Sequence, residues 1–289
     1  MRPIVFLIKD INCTASTQCG VVVNHALESI GVNSSVKYNV EGIKDSIVVI
    51  FKHIINDNEI DILKKNNNKI VIDVVDEFIR PNTNVLDLYD YSKIDGLISR
   101  IKKVIDIYQF PLNLNTVYIP HHWDIRLQDQ QVHNKIINCK PALISNDLRD
   151  MPHLEYLHAN SLIDFHINFG FESFSSYIDL ISKYDIHYNV RNTDSMAYKF
   201  KPATKLVTAA AFNTPLITNY DWALQDLIPE DYPFLVKDTS IQSIIDTINN
   251  LSFISDNDLN YTLEILKEVR YKTALVNLIP TYIDFLNQF

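Results

Sequence analysis

Arg191-Asn192-Thr193-Asp194-Ser195-Met196-Ala197-Tyr198-Lys199-Phe200-Lys201-Pro202-Ala203-Thr204-Lys205-Leu206-Val207-Thr208-Ala209-Ala210-Ala211-Phe212-Asn213-Thr214-Pro215-Leu216-Ile217 is the stretch on which the reading of the fold turns. It places a helix over 203–212 ahead of a strand over 216–218. Pro202 suits a first helical position, where its missing N–H costs nothing, so the helix is expected to open at Lys201-Pro202-Ala203-Thr204. The free amides and dipole at that end favour an anion. Lys201, Thr204, Lys205 and Thr208 fall at i, i+3, i+4 and i+7 and would form one stripe. Two lysines and two hydroxyls beside a helix N-terminus suit a diphosphate. The same spacing also fits a solvated lysine face on an ordinary amphipathic helix. Ala209–Ala211 let the helix lie close on a sheet.

Working outward, the N-terminal half alternates apolar runs with helix-like segments. Strands are expected at Pro3–Ile8, Ser46–Phe51, Lys69–Val75, Gly96–Ile98 and Thr116–Ile119, and helices at Val21–Ile30 and Glu59–Lys65. Gly31 reads as a helix C-cap. The pattern then restarts. Strands are expected at Ala142–Ser145, Ile163–Ile167, Ile186–Val190, Leu216–Thr218 and Phe234–Val236. Helices are expected at Leu154–Ala159, Ser175–Lys183 and Ile241–Leu251, the last with N-cap candidates in Asp238-Thr239-Ser240. From about Asn257 the chain reads as helical to its end, with a break near Pro280. Strands alternating with helices imply βαβ units and mostly parallel sheets. The reading is two α/β units joined near Pro120–Gln131.

Composition narrows the function. At 289 residues the length suits about two domains. With 47% hydrophobic and 21% charged residues the chain is an ordinary globular one. A net charge of −9 gives no global basic field for nucleic acid. The five glycines, Gly20, Gly31, Gly42, Gly96 and Gly170, stand alone, so no G-x-G-x-x-G, P-loop or G-x-S-x-G motif can be written. Cys13, Cys19 and Cys139 form no C-x-x-C, which argues against a disulfide framework or zinc ribbon and for a reduced, cytoplasmic setting. No apolar run approaches the length of a membrane span.

The run KPATKLVTAAAFNTPLI resembles the donor-site segment of bacterial GT-B glycosyltransferases of the polysaccharide type, whose pattern runs roughly Arg…Lys-Pro-x-Thr-Lys…Ala…Pro-x-Ile. Tyr118-Ile119-Pro120-His121-His122-Trp123-Asp124 resembles the hinge sequence IPNGVD of that family, and Ile72-Asp73-Val74-Val75-Asp76-Glu77 resembles its DxxD strand end. The resemblance implies an α/β protein of GT-B architecture, with two Rossmann-like domains whose parallel sheets face each other across a cleft. It implies an acceptor-side domain over 1–122, a nucleotide-sugar domain over 123–270 and a C-terminal helix over 271–289 that returns to the N-domain. The sequence departs from the family at two places. Phe200 and Thr208 stand where many retaining members carry the two glutamates of Glu-x7-Glu, and the glycine-rich loop after the first strand is absent from Asp10–Gly20.

The function implied is transfer of a glycosyl group from a nucleotide-sugar to a glycan or glycoconjugate in surface polysaccharide assembly, in the cytoplasm or at the inner face of a membrane. The alternative is a non-catalytic nucleotide- or glycan-binding partner subunit of the same fold. Donor contacts would come from Arg191, Lys201, Thr204, Lys205, Thr208 and Arg149. No metal or other cofactor is expected. In open α/β sheets ligands bind at the carboxyl ends of strands, so Asp76 or Glu77 could deprotonate an acceptor hydroxyl, with Asp73 one step deeper. His121 and His122 would line the cleft; neighbours in an extended chain point apart and cannot easily share one ion. Tyr220-Asp221-Trp222, after the strand that follows the KPATK helix, is a further candidate for donor contact.

Overall fold

The structure is a computed structural model that describes residues 2–8, 17–51, 55–75, 89–107, 114–127, 136, 139–145, 148, 151–166, 174–192 and 199–289. The chain divides into two compact units. The first takes Met1–His122, Met196–Pro202 and Ala274–Phe289, and the second takes Trp123–Ser195 and Ala203–Thr273.

In the first unit the chain runs β1 (Ile4–Ile8), α1 (Val23–Ser29), β2 (Ser34–Lys37), β3 (Ile47–Phe51), α2 (Asp57–Lys65), β4 (Lys69–Val74), β5 (Gly96–Ser99), α3 (Lys102–Ile107) and β6 (Asn115–Tyr118). Among the described residues these strands make one parallel sheet in the order β2-β1-β3-β4-β5-β6. Ile4 pairs with Ser34 on one side and with Ile47 on the other, so the strand order reverses at β1. Every residue of β1 and β3 is buried, the signature of strands covered on both faces. A π-helical turn, Thr17–Val22, leads into α1. Gly31, at φ 82°, closes α1: its N–H reaches the Glu28 carbonyl at 3.0 Å and the Val32 N–H reaches that of Leu27 at 3.0 Å. Asn56 and Glu59 form a capping box on α2, with reciprocal bonds of 2.9 and 3.0 Å. The edge strand β2 was not among the expected elements; Ser-Ser-Val-Lys carries too little apolar signal to announce it.

The second unit runs β7 (Ala142–Ile144), α4 (Leu154–Ala159), β8 (Asp164–His166), α5 (Phe174–Ile181), β9 (His187–Asn189), α6 (Thr204–Ala211), β10 (Leu216–Thr218), α7 (Ile241–Asn250) and α8 (Asp256–Lys272). Its described strands form a second parallel sheet, β10-β9-β7-β8. Ser240 caps α7 by accepting the Ser243 N–H. Phe234–Val236 does not make the expected strand. It touches β10 only through the bridge Thr218↔Leu235, because a turn from Leu235 back to the Tyr232 carbonyl bends the chain there.

The chain ends in α9 (Leu275–Leu286), which belongs to the first unit. The expected break near Pro280 lies instead at Thr273–Ala274, and Pro280 sits inside α9. Proline removes the N–H that would have reached the Val276 carbonyl. Val276 is 72% exposed, so water can take that carbonyl's place in the ladder. The end of α8 is closed firmly. Thr273 returns its N–H and its hydroxyl to the Val269 carbonyl, and Trp123 donates its backbone N–H to Thr273 and its indole N–H to Arg270.

The core of the first unit joins Ile4, Phe6, Ile47, Val49, Val71 and Ile98 of the sheet to Leu278, Tyr282 and Phe285 of α9. Gly96 makes room for that contact: a Cβ there would lie 2.5 Å from the Phe289 ring and 3.0 Å from that of Phe285. A buried ion pair sits in the same region. Arg100, after β5, grips Asp73 of β4 with Nε at 3.0 Å and with Nη2. Its Nη1 approaches the Ile119 and Pro120 carbonyls at 3.4 Å, and its guanidinium lies 5.7 Å from the centre of the Tyr282 ring. Burial pushes the Asp73 carboxyl up, while the facing carboxylate holds the Arg100 pKa well above its ordinary value against its own desolvation. No helix among the described residues is long and apolar enough to cross a membrane.

Breaking a buried pair by neutralising one partner leaves the other charge uncompensated, at a cost of about 3–5 kcal/mol. Asp73→Asn is therefore expected to lower unfolding stability by about that amount in denaturant titration. A loss below ~1 kcal/mol would show that the pair does not hold this region together.

Candidate functional site

Successive strands of a parallel sheet end at the same edge, and in open α/β folds that carboxyl edge takes the ligand. In the second unit the edge carries Ser145 after β7, Arg191 after β9 and Asn219 after β10. Arg191 is the cation of this group and is 3% exposed. Its backbone N–H donates to Asn219 Oδ1 at 2.8 Å, and its Nε donates to Asn189 Oδ1 at 3.0 Å. The Thr218 hydroxyl donates to the Asn189 carbonyl at 3.1 Å, tying β10 to β9 at the same level. Asp221 follows, and its Oδ1 accepts the N–H groups of Ala223 at 2.9 Å and Leu224 at 3.1 Å. Burial pushes this carboxyl up to about 6, opposed by those two N–H groups and by the charge of Arg191.

Helix α6 begins beside that edge, at Thr204 and not at Lys201. Ala203 has ψ 39°, outside the helical range, so the first turn forms one residue after it. Lys201 and Pro202 precede the helix and group with the first unit, so the expected four-residue stripe is shortened to Thr204, Lys205 and Thr208. The Lys205 ammonium donates to the Ile144 carbonyl at the end of β7. With Thr208, Tyr177, His187 and Tyr188 it lines a small open recess.

The first unit's candidates take different places. Asp73 is 1% exposed and paired with Arg100. His121 and His122 are buried, and their rings stack at 5.6 Å with 16° between planes, where an extended chain would have turned them apart. The alternation rule belongs to strands, and β6 ends at Tyr118. His121 Nδ1 lies 3.6 Å from the Cys19 thiol. Asp76, Glu77 and Arg149 lie outside the described residues. Among the described residues no group of three or more His, Cys, Asp and Glu could hold a metal ion.

Thus Arg191, Thr204, Lys205 and Thr208 belong to one unit, with Lys205 tied to the end of β7, while Lys201 and Asp73 belong to the other. Sequence reasoning missed Asn189, Asn219 and Arg100. The two asparagines have a legible signal, since each stands at or just past the end of an apolar strand, where a side-chain amide can brace a neighbouring chain.

No family model matches the chain, and no curated protein matches it in sequence. Solved structures do match in shape. The HepE protein of Anabaena in complex with UDP superposes with a TM-score of 0.67 at 11% identity, covering 99% of this chain and 100% of that one. A glycosyltransferase of Rickettsia africae gives 0.63 at 11% identity, covering 99% and 98%. Sucrose-phosphate synthase of Thermosynechococcus elongatus gives 0.61 at 11%, covering 99% of each chain. Among the described residues, the fold of two α/β units with parallel sheets of six and four strands is shared with these glycosyltransferase structures.

Asn219→Ala would strand the buried N–H of Arg191, at about 1–3 kcal/mol. Chemical denaturation should register that loss; stability unchanged within ~0.5 kcal/mol would remove Asn219 as the brace of this edge.

Proposed function

We propose that the protein transfers a glycosyl group from a nucleotide-sugar to a glycan or glycoconjugate acceptor, in the assembly of surface polysaccharide. The observation that carries this reading is the full-length match in fold to glycosyltransferases, together with a braced arginine at the carboxyl edge of the second sheet. HepE has been solved with UDP-glucose, and an α1,3-fucosyltransferase with TM-score 0.55 has been solved with GDP-fucose. The donor would lie against the second unit, with its diphosphate at Arg191 and the start of α6. Lys205 would exchange its bond to the Ile144 carbonyl for one to phosphate. Charge building on the leaving diphosphate would be offset by these cations in a site closed to water, with no resident metal required.

Asp76 or Glu77, after β4, would take the proton of the acceptor hydroxyl if the enzyme inverts. Asp73 is the weaker candidate, because Arg100 already engages both of its oxygens. The second reading, a binding subunit without turnover, is favoured by Phe200 and Thr208 where the two glutamates of many retaining enzymes stand.

Incubation with UDP- and GDP-linked sugars separates the readings. Release of nucleoside diphosphate and free sugar supports the transferase; binding without turnover across varied acceptors supports the subunit. Charge-assisted hydrogen bonds contribute roughly 1.5–3 kcal/mol each. Lys205→Ala should therefore weaken nucleoside diphosphate binding about 10- to 100-fold in calorimetry. An unchanged affinity would take α6 out of the site.

A further inference from the structure

Strand β8 carries a chain of polar side chains to which the donor-site reading gives no task. Lys140 Nζ pairs with Asp164 Oδ1 at 2.5 Å, the Tyr184 hydroxyl donates to Asp164 Oδ2 at 3.1 Å, and His166 Nε2 lies 2.6 Å from the Tyr184 oxygen. A hydroxyl has one proton to give, and an ionised carboxylate can only accept. Tyr184 therefore spends its proton on Asp164 and accepts from His166, which places the imidazole proton on Nε2. The Lys140 bond holds the Asp164 carboxyl below its ordinary range, so Asp164 stays ionised. Burial, joined by the charge of Lys183, lowers the His166 pKa against the pull of Asp164, so the ring is neutral near pH 7. Its Nδ1 is then an acceptor and not a donor. Among the described residues no hydrogen bond engages that nitrogen, and His166 is only half-buried.

The Ser145 N–H donates to the His166 carbonyl at 3.1 Å, so β7 and β8 end level at the carboxyl edge. In the order β10-β9-β7-β8, His166 stands two strands from Arg191, about 10 Å at ordinary strand spacing. A nucleotide laid across β7 with its diphosphate at Arg191 would bring its base to His166. We propose that His166 selects the base: its Nδ1 accepts the ring N–H of uracil or guanine and turns away cytosine and adenine, which present a bare ring nitrogen on that edge. The proposal rests on the donor-site reading above. The wrong base sets lone pair against lone pair and leaves both acceptors unpaired, so the discrimination is built from a repulsive contact as much as an attractive one. Tyr184 is a positioning residue, because it fixes which nitrogen of His166 faces the ligand.

Calorimetry with inorganic pyrophosphate, UDP, GDP, CDP and ADP tests this. Wild type should bind whichever of UDP and GDP it prefers about 10-fold more tightly than CDP and ADP, the scale of one hydrogen bond left unmade. Tyr184→Phe removes the acceptor of the Nε2 proton, so the ring can take its other tautomer and offer CDP and ADP a donor. The preference should then fall to within about threefold. His166→Phe should abolish it as well. Pyrophosphate affinity should match wild type in both variants, since neither change touches the diphosphate. A preference kept in a folded His166→Phe protein, or no such preference in a wild type that binds the nucleotides, overturns the role of His166 and leaves the donor site standing. Pyrophosphate affinity that drops as far as UDP affinity in His166→Phe overturns it too, because the relay then only supports the sheet. A preference lost in His166→Phe but intact in a folded Tyr184→Phe overturns the pinning through Tyr184. Should Tyr184→Phe not fold, His166→Phe alone decides. If wild type binds neither pyrophosphate nor any nucleotide, the donor-site reading falls, and the proposal with it.

Discussion

The ion pair of Asp73 with Arg100 is the constraint on which the first unit depends. A fully buried guanidinium must find acceptors for its donors, and the available ones fix the geometry around it. Asp73 supplies β4, the Ile119 and Pro120 carbonyls supply the end of β6, and the ring of Tyr282 supplies α9. One side chain therefore references three strand ends and the C-terminal helix to each other. The helix cannot be omitted, since its Leu278, Tyr282 and Phe285 complete the core that Gly96 leaves open. The first unit is consequently finished only when α9 has been made, after the whole of the second unit.

The second unit is built on a lighter plan. Its described strands are three residues long, and β9 and β10 are braced at their ends by side chains as well as by the ladder. Asn189, Thr218 and Asn219 convert the end of the sheet into a fixed polar platform that carries Arg191. Short strands ending on a braced platform present charged groups accurately without needing a long hydrophobic run behind them. The same edge receives the start of α6, whose Lys205 is tied to the end of β7.

Much of this was legible in the chain. The β-branched runs of β1, β3 and β4 announce strands buried on both faces, and the alanines of α6 announce a helix lying close on a sheet. The start of α6 was misplaced because Pro202 permits a first helical position without requiring one, and the ψ of Ala203 decides the matter locally. Pro280 misled in the opposite sense: a proline does not break a helix whose freed carbonyl faces water and whose other face is anchored in a core. The stacking of His121 on His122 was out of reach, since it depends on where β6 ends. Of the candidate site, Arg191 was legible as a cation after a strand. Its partners were not, because Asn189 and Asn219 lie 30 positions apart and meet only once the two strands pair in register.

The central claim is that the carboxyl edge of the second sheet holds a nucleoside diphosphate. Amide hydrogen exchange, followed with and without saturating UDP and, separately, GDP, tests it most directly. The account predicts that one of the two slows exchange at Val190–Asn192, at Asn219–Leu224 and in the first turn of α6, while β1, β3 and β4 are unaffected. Protection confined to the first unit, or absent at Arg191 and Asn219 under a ligand that binds, would contradict it.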